Sequence, residues 1–258
     1  MIFETHAHYD DEAFDADREK LLAKMPENKI GRIINIGASL SSCRKTIALM
    51  EQYPFIYGAL GVHPSETAEL TEDSFSWLYE QCKRERCVAV GEIGLDYHWD
   101  EPDREIQKKW FRRQLQLAKE LELPVVIHSR DAAMDTVDIM KEQHAEEIGG
   151  VIHCFSYTKE MAEVFLKMGF FIGIGGVVTF KNAKKLKEAV EVIPLERIVV
   201  ETDSPYLAPE PNRGARNSSL NIPYIIEEIA RIKKVSKEQV EEETWKNGEK
   251  LYRFQKNL

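Results

Sequence analysis

The sequence predicts an α/β fold, a (β/α)8 TIM barrel made by one domain over residues 1–258. Short β-branched runs alternate with longer segments of helical periodicity, which is typical of βα units. Eight such runs occur, and they are apolar on both faces, as parallel strands buried between a core and a helical layer must be. The length of 258 residues fits one such barrel or two smaller domains, and no linker rich in Gly and Ser divides the chain.

The predicted strands follow one another along the chain, and a segment that can form a helix comes after each. They are Ile2–His6, Arg32–Ile36, Phe55–Gly61, Cys87–Glu92, Pro124–His128, Gly150–His153, Phe170–Ile174 and Arg197–Glu201. An open doubly wound sheet is the alternative arrangement of such units. No GxGxxG turn follows the first strand, so the nucleotide-binding version of that sheet has no support.

Three helices can be bounded from the sequence. The segment Arg104–Leu121 has one apolar stripe among Lys and Arg residues, so we expect its basic cluster to be a solvated face rather than a nucleic-acid footprint. The stripe consists of Ile106, Trp110, Leu115, Leu117, Ala118 and Leu121. Two further helices, Ile222–Ile232 and Lys237–Leu251, would close the barrel.

Composition and charge exclude several classes of protein. The 35 Lys and Arg against 44 Asp and Glu give a net charge of −9, which argues against a broad basic face for nucleic acid. It does not exclude an enzyme that holds phosphate through a bound metal. No apolar run approaches the roughly 18 residues of a membrane span, and the N-terminus is unlike a signal peptide, so we expect a cytoplasmic protein. The four cysteines form no CxxC pair and are expected to be small buried residues.

Five of the seven histidines stand at the carboxyl end of a predicted strand or one to two residues beyond it. They are His6, His8, His63, His128 and His153. In an α/β barrel the loops at that end build the active site. Strand alternation points His6 and His8 to the same face, where they could share a metal ion. The alternative for each is an ordinary polar histidine with satisfied hydrogen bonds.

Carboxylates close two of the same hydrophobic strands. Glu92 ends the fourth strand, while Glu201 and Asp203 stand two residues apart at the end of the eighth. A buried carboxylate is costly unless a cation pairs with it. Four histidines with two or three acids suit two divalent ions about 3.5–4 Å apart with one bridging carboxylate. The alternative is that strand ends are polar because they border solvent, but Ser, Thr, Asn or Lys would serve that purpose equally well.

Taken together, these motifs resemble the TatD family of metal-dependent deoxyribonucleases, a branch of the amidohydrolase superfamily of (β/α)8 barrels. The resemblance extends from end to end of the chain. It rests on the segments Thr5–His8, Gly61–Pro64, Gly91–Asp96, Gln107–Pro124, Ile127–Arg130, His153–Ser156, Glu201–Pro205 and Arg213–Asn217.

The resemblance implies two divalent cations. The implied ligands are His6, His8 and Asp203 for the first ion, and His128 and His153 for the second, with Glu92 as the bridge. Mixed His and carboxylate ligands suit Zn, Mn, Ni or Co, whereas a mainly oxygen-liganded site would favour Mg.

The sequence departs from the family pattern at three places. Glu4 stands where Asp usually precedes Thr-His, and we expect it to alter a contact behind the ligands. Tyr157 stands where Gly usually follows His-Cys-Phe-Ser, and Ser218–Asn221 adds residues before Pro223. Both would border the rim, so they affect the expected substrate preference.

The implied chemistry uses a water activated by bound metal, so no protein nucleophile is needed. Cys154 is expected to face away from the site, because neighbouring strand residues point to opposite faces. Asp203 is the first candidate for the general base, and Glu201 is either a second one or the structural partner of an Arg. His63 is a candidate donor to a phosphate oxygen or to the leaving group.

Arginine side chains are candidates for phosphate contacts, because the guanidinium fork matches a phosphate group. Arg130 and Arg213 are the candidates that we retain. Arg216 is expected to form a surface salt bridge instead.

The sequence leaves three functions to compare. The resemblance implies a hydrolase of phosphodiester bonds that removes nucleotides from the 3′ end of single-stranded DNA, with RNA or tRNA as other candidate substrates. The alternative is a metal-dependent acyl hydrolase, such as a D-aminoacyl-tRNA deacylase or a small-molecule amidohydrolase. A module that binds metal without turnover would require a missing ligand, and none is missing. No membrane contact and no obligate protein partner are expected.

Overall fold

The computed structural model describes residues 1–99 and 101–254 and shows one eight-stranded sheet whose strand order follows the chain. The strands are β1 (Ile2–Ala7), β2 (Ile30–Ile36), β3 (Ile56–Leu60), β4 (Cys87–Asp96), β5 (Val125–Arg130), β6 (Gly150–Ile152), β7 (Phe171–Ile174) and β8 (Ile198–Val200). The helices are α1 (Arg18–Leu22), α2 (Leu40–Gln52), α3 (Glu72–Cys82), α4 (Arg104–Glu120), α5 (Ala133–Glu142), α6 (Lys159–Lys167), α7 (Lys184–Val192), α8 (Ile222–Lys233) and α9 (Lys237–Leu251). Strands and helices alternate as in a (β/α)8 barrel, so the predicted fold class is confirmed.

The chain forms two compact units. The first unit consists of Met1–Asn35, Cys154–Lys167 and Phe171–Leu258, and the second consists of Ile36–His153 and Met168–Phe170. The first unit thus contains β1, β7, β8 and nearly all of β2, and the second contains β3 to β6. A single domain over residues 1–258 stays a prediction.

Within each unit the apolar runs of the strands are buried on both faces, as their sequences predict. Val125, Val126 and Ile127 of β5 are fully buried in the second unit, where they pair in parallel with β6. Ile198–Val200 is equally buried in the first unit and pairs in parallel with β7. The two C-terminal helices α8 and α9 occur where the sequence predicts them.

Helix α4 buries a different stripe from the one predicted. Trp110, Leu115, Leu117 and Ala118 are buried as expected, but Ile106 is 39% exposed. In its place the helix buries two polar side chains, Gln107 and Gln114. The amide of Gln114 accepts a hydrogen bond from the amide of Val62 (2.8 Å) and donates to its carbonyl (3.1 Å). A carboxamide can satisfy both backbone groups of one residue, so hydropathy alone does not identify these positions as buried.

Strand β4 extends four residues beyond its predicted end at Glu92. The extension pairs with β5, with Gly94 opposite His128 and Asp96 opposite Arg130. Gly94 makes this pairing possible: a Cβ there would lie 1.9 Å from the carbonyl oxygen of His128, and its φ is +142°. The extension brings Asp96 into the second unit's cluster of ionisable groups.

Three basic residues of α4 are engaged in ion pairs, in agreement with a solvated helix face. The pairs are Lys108 with Asp135 (2.8 Å), Arg112 with Glu142 (2.8 Å) and Arg113 with Glu72 (2.9 Å).

The free thiols of Cys43, Cys82 and Cys87 are buried, as predicted, while Cys154 is partly exposed. Among the described residues, no helix is long and apolar enough to cross a membrane.

Candidate metal centres

The first unit brings His6, His8 and Asp203 together in one cluster. The Nε2 atoms of the two histidines lie 3.1 Å apart, and Oδ1 of Asp203 lies 3.5 Å from His6 Nε2 and 3.3 Å from His8 Nε2. The backbone sets this arrangement: the amide of Asp203 donates to the carbonyl of His6 (3.0 Å), and the amide of His8 donates to that of Ser204 (2.8 Å). The segment after β8 therefore runs beside the end of β1 and carries the carboxylate to the histidines.

This cluster fits a divalent cation. Ligands about 2.1 Å from a tetrahedral ion are about 3.4 Å from one another. The three donor atoms are 3.1 to 3.5 Å apart. Two imidazole nitrogens and one carboxylate are a ligand set suited to Zn, Mn, Ni or Co.

Glu4 lies buried behind this cluster and ties together the backbone that carries it. Its carboxylate accepts hydrogen bonds from the amides of His6 (3.2 Å) and Thr202 (2.9 Å) and from the Thr202 hydroxyl (2.6 Å). Burial raises the pKa of Glu4 to about 7, although these hydrogen bonds oppose the shift. Glu4 thus contacts the backbone on both sides of the cluster.

The raised pKa predicts how the stability of metal-free protein depends on pH. The pKa of Glu4 is about 7 in the folded state and 4.5 for the free side chain. The contribution of Glu4 to the free energy of unfolding is therefore fully present below pH 4.5. That contribution is lost as pH rises through 7, and the shift corresponds to roughly 3 kcal/mol. We expect the free energy of unfolding of the wild type to fall by about this amount, relative to Glu4→Gln, between pH 4.5 and 8. Urea unfolding of both chelator-treated proteins tests it, and parallel pH profiles would contradict it.

Glu201 is also buried in the first unit, and one of its contacts is to the backbone. One carboxylate oxygen accepts a hydrogen bond from the amide of Cys154. The other lies where a Cβ on Gly173 would be only 2.4 Å away. The amide of Cys154 is thus one structural partner of Glu201, and the roles of second base or partner of an Arg stay predictions.

Cys154 does not lie in a strand, so the alternation argument made for it was wrong. β6 ends at Ile152, and Cys154 has a φ of +45°, a left-handed conformation in a turn. The period of two that applies along a strand does not extend into this turn.

The second unit has its own cluster, centred on one oxygen of Glu92. Oε1 of Glu92 lies 2.6 Å from Nε2 of His153 and 2.8 Å from Nδ1 of His128. The two histidine nitrogens are 3.2 Å apart. Nε2 of His63 lies 3.8 Å from the same oxygen. Three strand ends, those of β3, β5 and β6, therefore bring imidazoles to the carboxylate of β4.

The carboxylates of this cluster favour a positive charge among them. Burial lowers the pKa of His128, but its hydrogen bonds to Asp96 and Glu92 outweigh burial and raise the pKa to about 9. Without metal, the carboxylates thus hold a proton on His128 at neutral pH. A divalent ion bound between Glu92 and the histidines would replace that positive charge, and the donor set is one that such an ion uses.

His63 is held as a neutral ring. Burial and the nearby His128 lower its pKa to about 3. Its Nδ1 accepts a hydrogen bond from the amide of Ser65 (3.2 Å), so the proton of the neutral ring is on Nε2. The structure therefore presents His63 as a hydrogen-bond donor through Nε2.

The predicted phosphate-binding arginines are both exposed. Arg130 ends β5, and Arg213 stacks over the ring of Phe180 at 4.2 Å. Arg216 makes two hydrogen bonds of 2.7 Å to the carboxylate of Asp17, so its predicted salt bridge is confirmed.

Asp96 is a member of the second cluster that the ligand predictions left out. Its Oδ2 lies 3.0 Å from Nε2 of His128. The sequence carried a signal, since Asp96 closes the segment Gly91–Asp96 that supports the family resemblance. The longer strand β4 is what brings it to His128.

A (β/α)8 barrel with histidine and carboxylate clusters at its strand ends defines the class of metal-dependent hydrolases. The chain belongs to the TatD family: the family model described as TatD related DNase matches residues 3–253. It is 44% identical over 254 residues to an uncharacterized metal-dependent hydrolase, YabD of Bacillus subtilis, covering 98% of this chain and 100% of that one. It is 34% identical to YcfH of Escherichia coli K12, also an uncharacterized metal-dependent hydrolase, covering 98% and 96% of the two chains. Its fold matches the crystal structure of YjjV, a TatD homologue of Escherichia coli K12, with a TM-score of 0.92, 30% identity and 98% coverage of both chains.

Proposed function

We propose that this metal-dependent hydrolase cleaves phosphodiester bonds and removes nucleotides from the 3′ end of single-stranded DNA. The observation that carries the proposal is the cluster of His6, His8 and Asp203, whose donor spacing suits a divalent cation. The family description as TatD related DNase supports phosphodiester as the bond cleaved. The protein would act in the cytoplasm, with single-stranded DNA as its partner and no need of a protein partner or a membrane.

Two divalent cations are part of the proposal. His6, His8 and Asp203 would hold one, and His128 with His153 would hold the other; Glu92 as the bridging ligand follows from the family resemblance. Bound there, the cations would acidify a water and neutralise charge on the phosphate.

The side chains supply the remaining steps. Asp203 would accept the proton of the attacking water, because its carboxylate is partly exposed and lies at the ligand cluster. His63 would donate a hydrogen bond from Nε2 to a phosphate oxygen. Nε2 carries the proton of the neutral ring because Nδ1 accepts a hydrogen bond from the amide of Ser65. Arg130 and Arg213 are exposed and would contact phosphates further along the strand. The burial of Glu201 and its bond to the Cys154 amide favour a structural role over that of a second base.

The test is digestion of single-stranded DNA labelled at its 5′ end, with Mg²⁺, Mn²⁺ or Zn²⁺ added to chelator-stripped protein. We expect a ladder that shortens from the 3′ end, and no product with chelator or with Glu92→Gln. DNA that stays intact with every metal, while bound metal is confirmed, would overturn the proposal. D-aminoacyl-tRNA would then be the first acyl substrate to assay.

A further inference from the structure

The carboxylate of Asp96 has two different partners, one on each oxygen. Oδ2 lies 3.0 Å from Nε2 of His128. Oδ1 accepts hydrogen bonds from the amides of His98 (2.9 Å) and Trp99 (3.4 Å), the first residues after Tyr97 in the loop that follows β4. Only 3% of this side chain is exposed, so water does not compete for its hydrogen bonds.

His128 is held from both sides of its ring. Nε2 faces Asp96, whereas Nδ1 lies 2.8 Å from Oε1 of Glu92 and 3.2 Å from Nε2 of His153. A carboxylate that accepts a hydrogen bond from one imidazole nitrogen fixes the proton there and leaves the lone pair on the other nitrogen for a metal. For His128 that other nitrogen is Nδ1, which points into the cluster.

We propose that Asp96 is a positioning residue that fixes His128 in the Nε2-protonated form and thereby makes Nδ1 the metal-binding nitrogen of the second unit's cluster. The proposal rests on the part of the proposed function in which a cation binds this cluster, and it does not depend on DNA being the substrate.

The backbone of Asp96 is itself fixed by a buried side chain of α4. Oε1 of Gln107 accepts from the amide of Asp96 (2.9 Å), and Nε2 of Gln107 donates to its carbonyl (3.0 Å) and to that of Pro102 (2.9 Å). In the sheet, the backbone of Asp96 in β4 lies opposite that of Arg130 in β5. These contacts fix the backbone of Asp96, so its side chain can hold the ring of His128 in one orientation.

A purely structural role would use Asp96 as a cap for the loop, and a substitution separates the two roles. Asp96→Asn keeps one oxygen for the amides of His98 and Trp99 but turns an NH2 group toward His128. The ring must then accept at Nε2 and carry its proton on Nδ1, the nitrogen that faces Glu92. The same replacement of a carboxylate beside an imidazole imposes the wrong tautomer in the serine protease triad.

The experiment measures Co²⁺ binding to chelator-stripped protein, by calorimetry and by the visible absorption of the bound ion. We expect Asp96→Asn to weaken one of the two Co²⁺ affinities by about 10- to 100-fold, to change the absorption band of that ion and to leave the other affinity unchanged. The matched control is Asp131→Asn, since Asp131 is an exposed carboxylate of the same unit whose neighbour is His98. The control should bind Co²⁺ as the wild type does.

Wild-type affinity and absorption in Asp96→Asn, with only a lower unfolding temperature, would overturn the proposal. Should Asp96→Asn fail to fold, Gln107→Met keeps the Asp96 carboxylate but removes its backbone support, and it should weaken the same Co²⁺ affinity to a smaller degree. Wild-type binding in that variant would count equally against the proposal. Weakened Co²⁺ binding together with intact DNA would leave Asp96 in its role and refute the nuclease function alone.

Discussion

Asp203→Asn is expected to lower the rate of metal-dependent hydrolysis by about 10³-fold or more. General base catalysis by a positioned side chain typically contributes about 10²- to 10⁴-fold. An amide oxygen can still approach a metal ion, but it carries no charge and cannot accept the proton of the attacking water. The backbone contacts of Asp203 with His6 use its amide group rather than its side chain, so the substitution should preserve the fold of this segment.

The measurement is the turnover number at saturating substrate and saturating metal, with the metal content of each protein determined. Saturation matters because a weaker affinity of the His6 and His8 cluster would otherwise lower the rate by itself. Asp15→Asn is the matched control, since Asp15 is an exposed carboxylate of the same unit that pairs with Arg18. Turnover of Asp203→Asn within tenfold of the wild type, with metal bound, would exclude Asp203 as the base.

The ligand candidates that sequence reasoning found share a simple signal. His6 closes the predicted strand Ile2–His6 and His8 follows two residues later, while Glu92 and His128 each close an apolar strand. Chain position alone therefore predicts that these side chains lie at the same end of their strands. The structure brings them into clusters whose atoms lie about as close as ligands of one ion.

The residues that sequence reasoning missed are buried polar groups whose partners are remote in the chain. For Glu4, which the sequence did single out, only the partner was missed: it is Thr202, 198 positions away. Gln107 and Gln114 bind backbone groups of neighbouring strand ends and take the place of apolar residues in the stripe of α4. A hydropathy pattern treats such residues as solvent-exposed, because their burial depends on a partner that only the folded chain supplies.

The extent of β4 illustrates the same limit. Glu92 ends the apolar run, so periodicity places the strand end there. The pairing with β5 continues past Gly94 because a residue without Cβ lets the carbonyl of His128 approach closely. Four more residues of strand then bring Asp96 to Nε2 of His128.

Gly94→Ala is accordingly expected to cause a large loss of stability, about 3 kcal/mol or more in the free energy of unfolding. Two costs combine. A φ of +142° is strained for any residue with a Cβ, at about 1–3 kcal/mol, and the added methyl group meets the carbonyl oxygen of His128 at 1.9 Å. That oxygen belongs to a paired strand and cannot rotate away as a flexible side chain would, so overpacking adds about 1–3 kcal/mol.

Gly169→Ala separates the two costs. Gly169 also has a positive φ, +83°, but a Cβ there meets nothing within 4 Å, so only the backbone strain remains. Urea unfolding of both variants should therefore show Gly94→Ala as the less stable by at least about 1 kcal/mol. Equal losses in the free energy of unfolding would mean that β4 and β5 separate at little cost. In that case β4 would not hold Asp96 and His128 in fixed positions. Because the clash falls on the backbone of His128, a folded Gly94→Ala protein should also bind Co²⁺ more weakly, whereas Gly169→Ala should not.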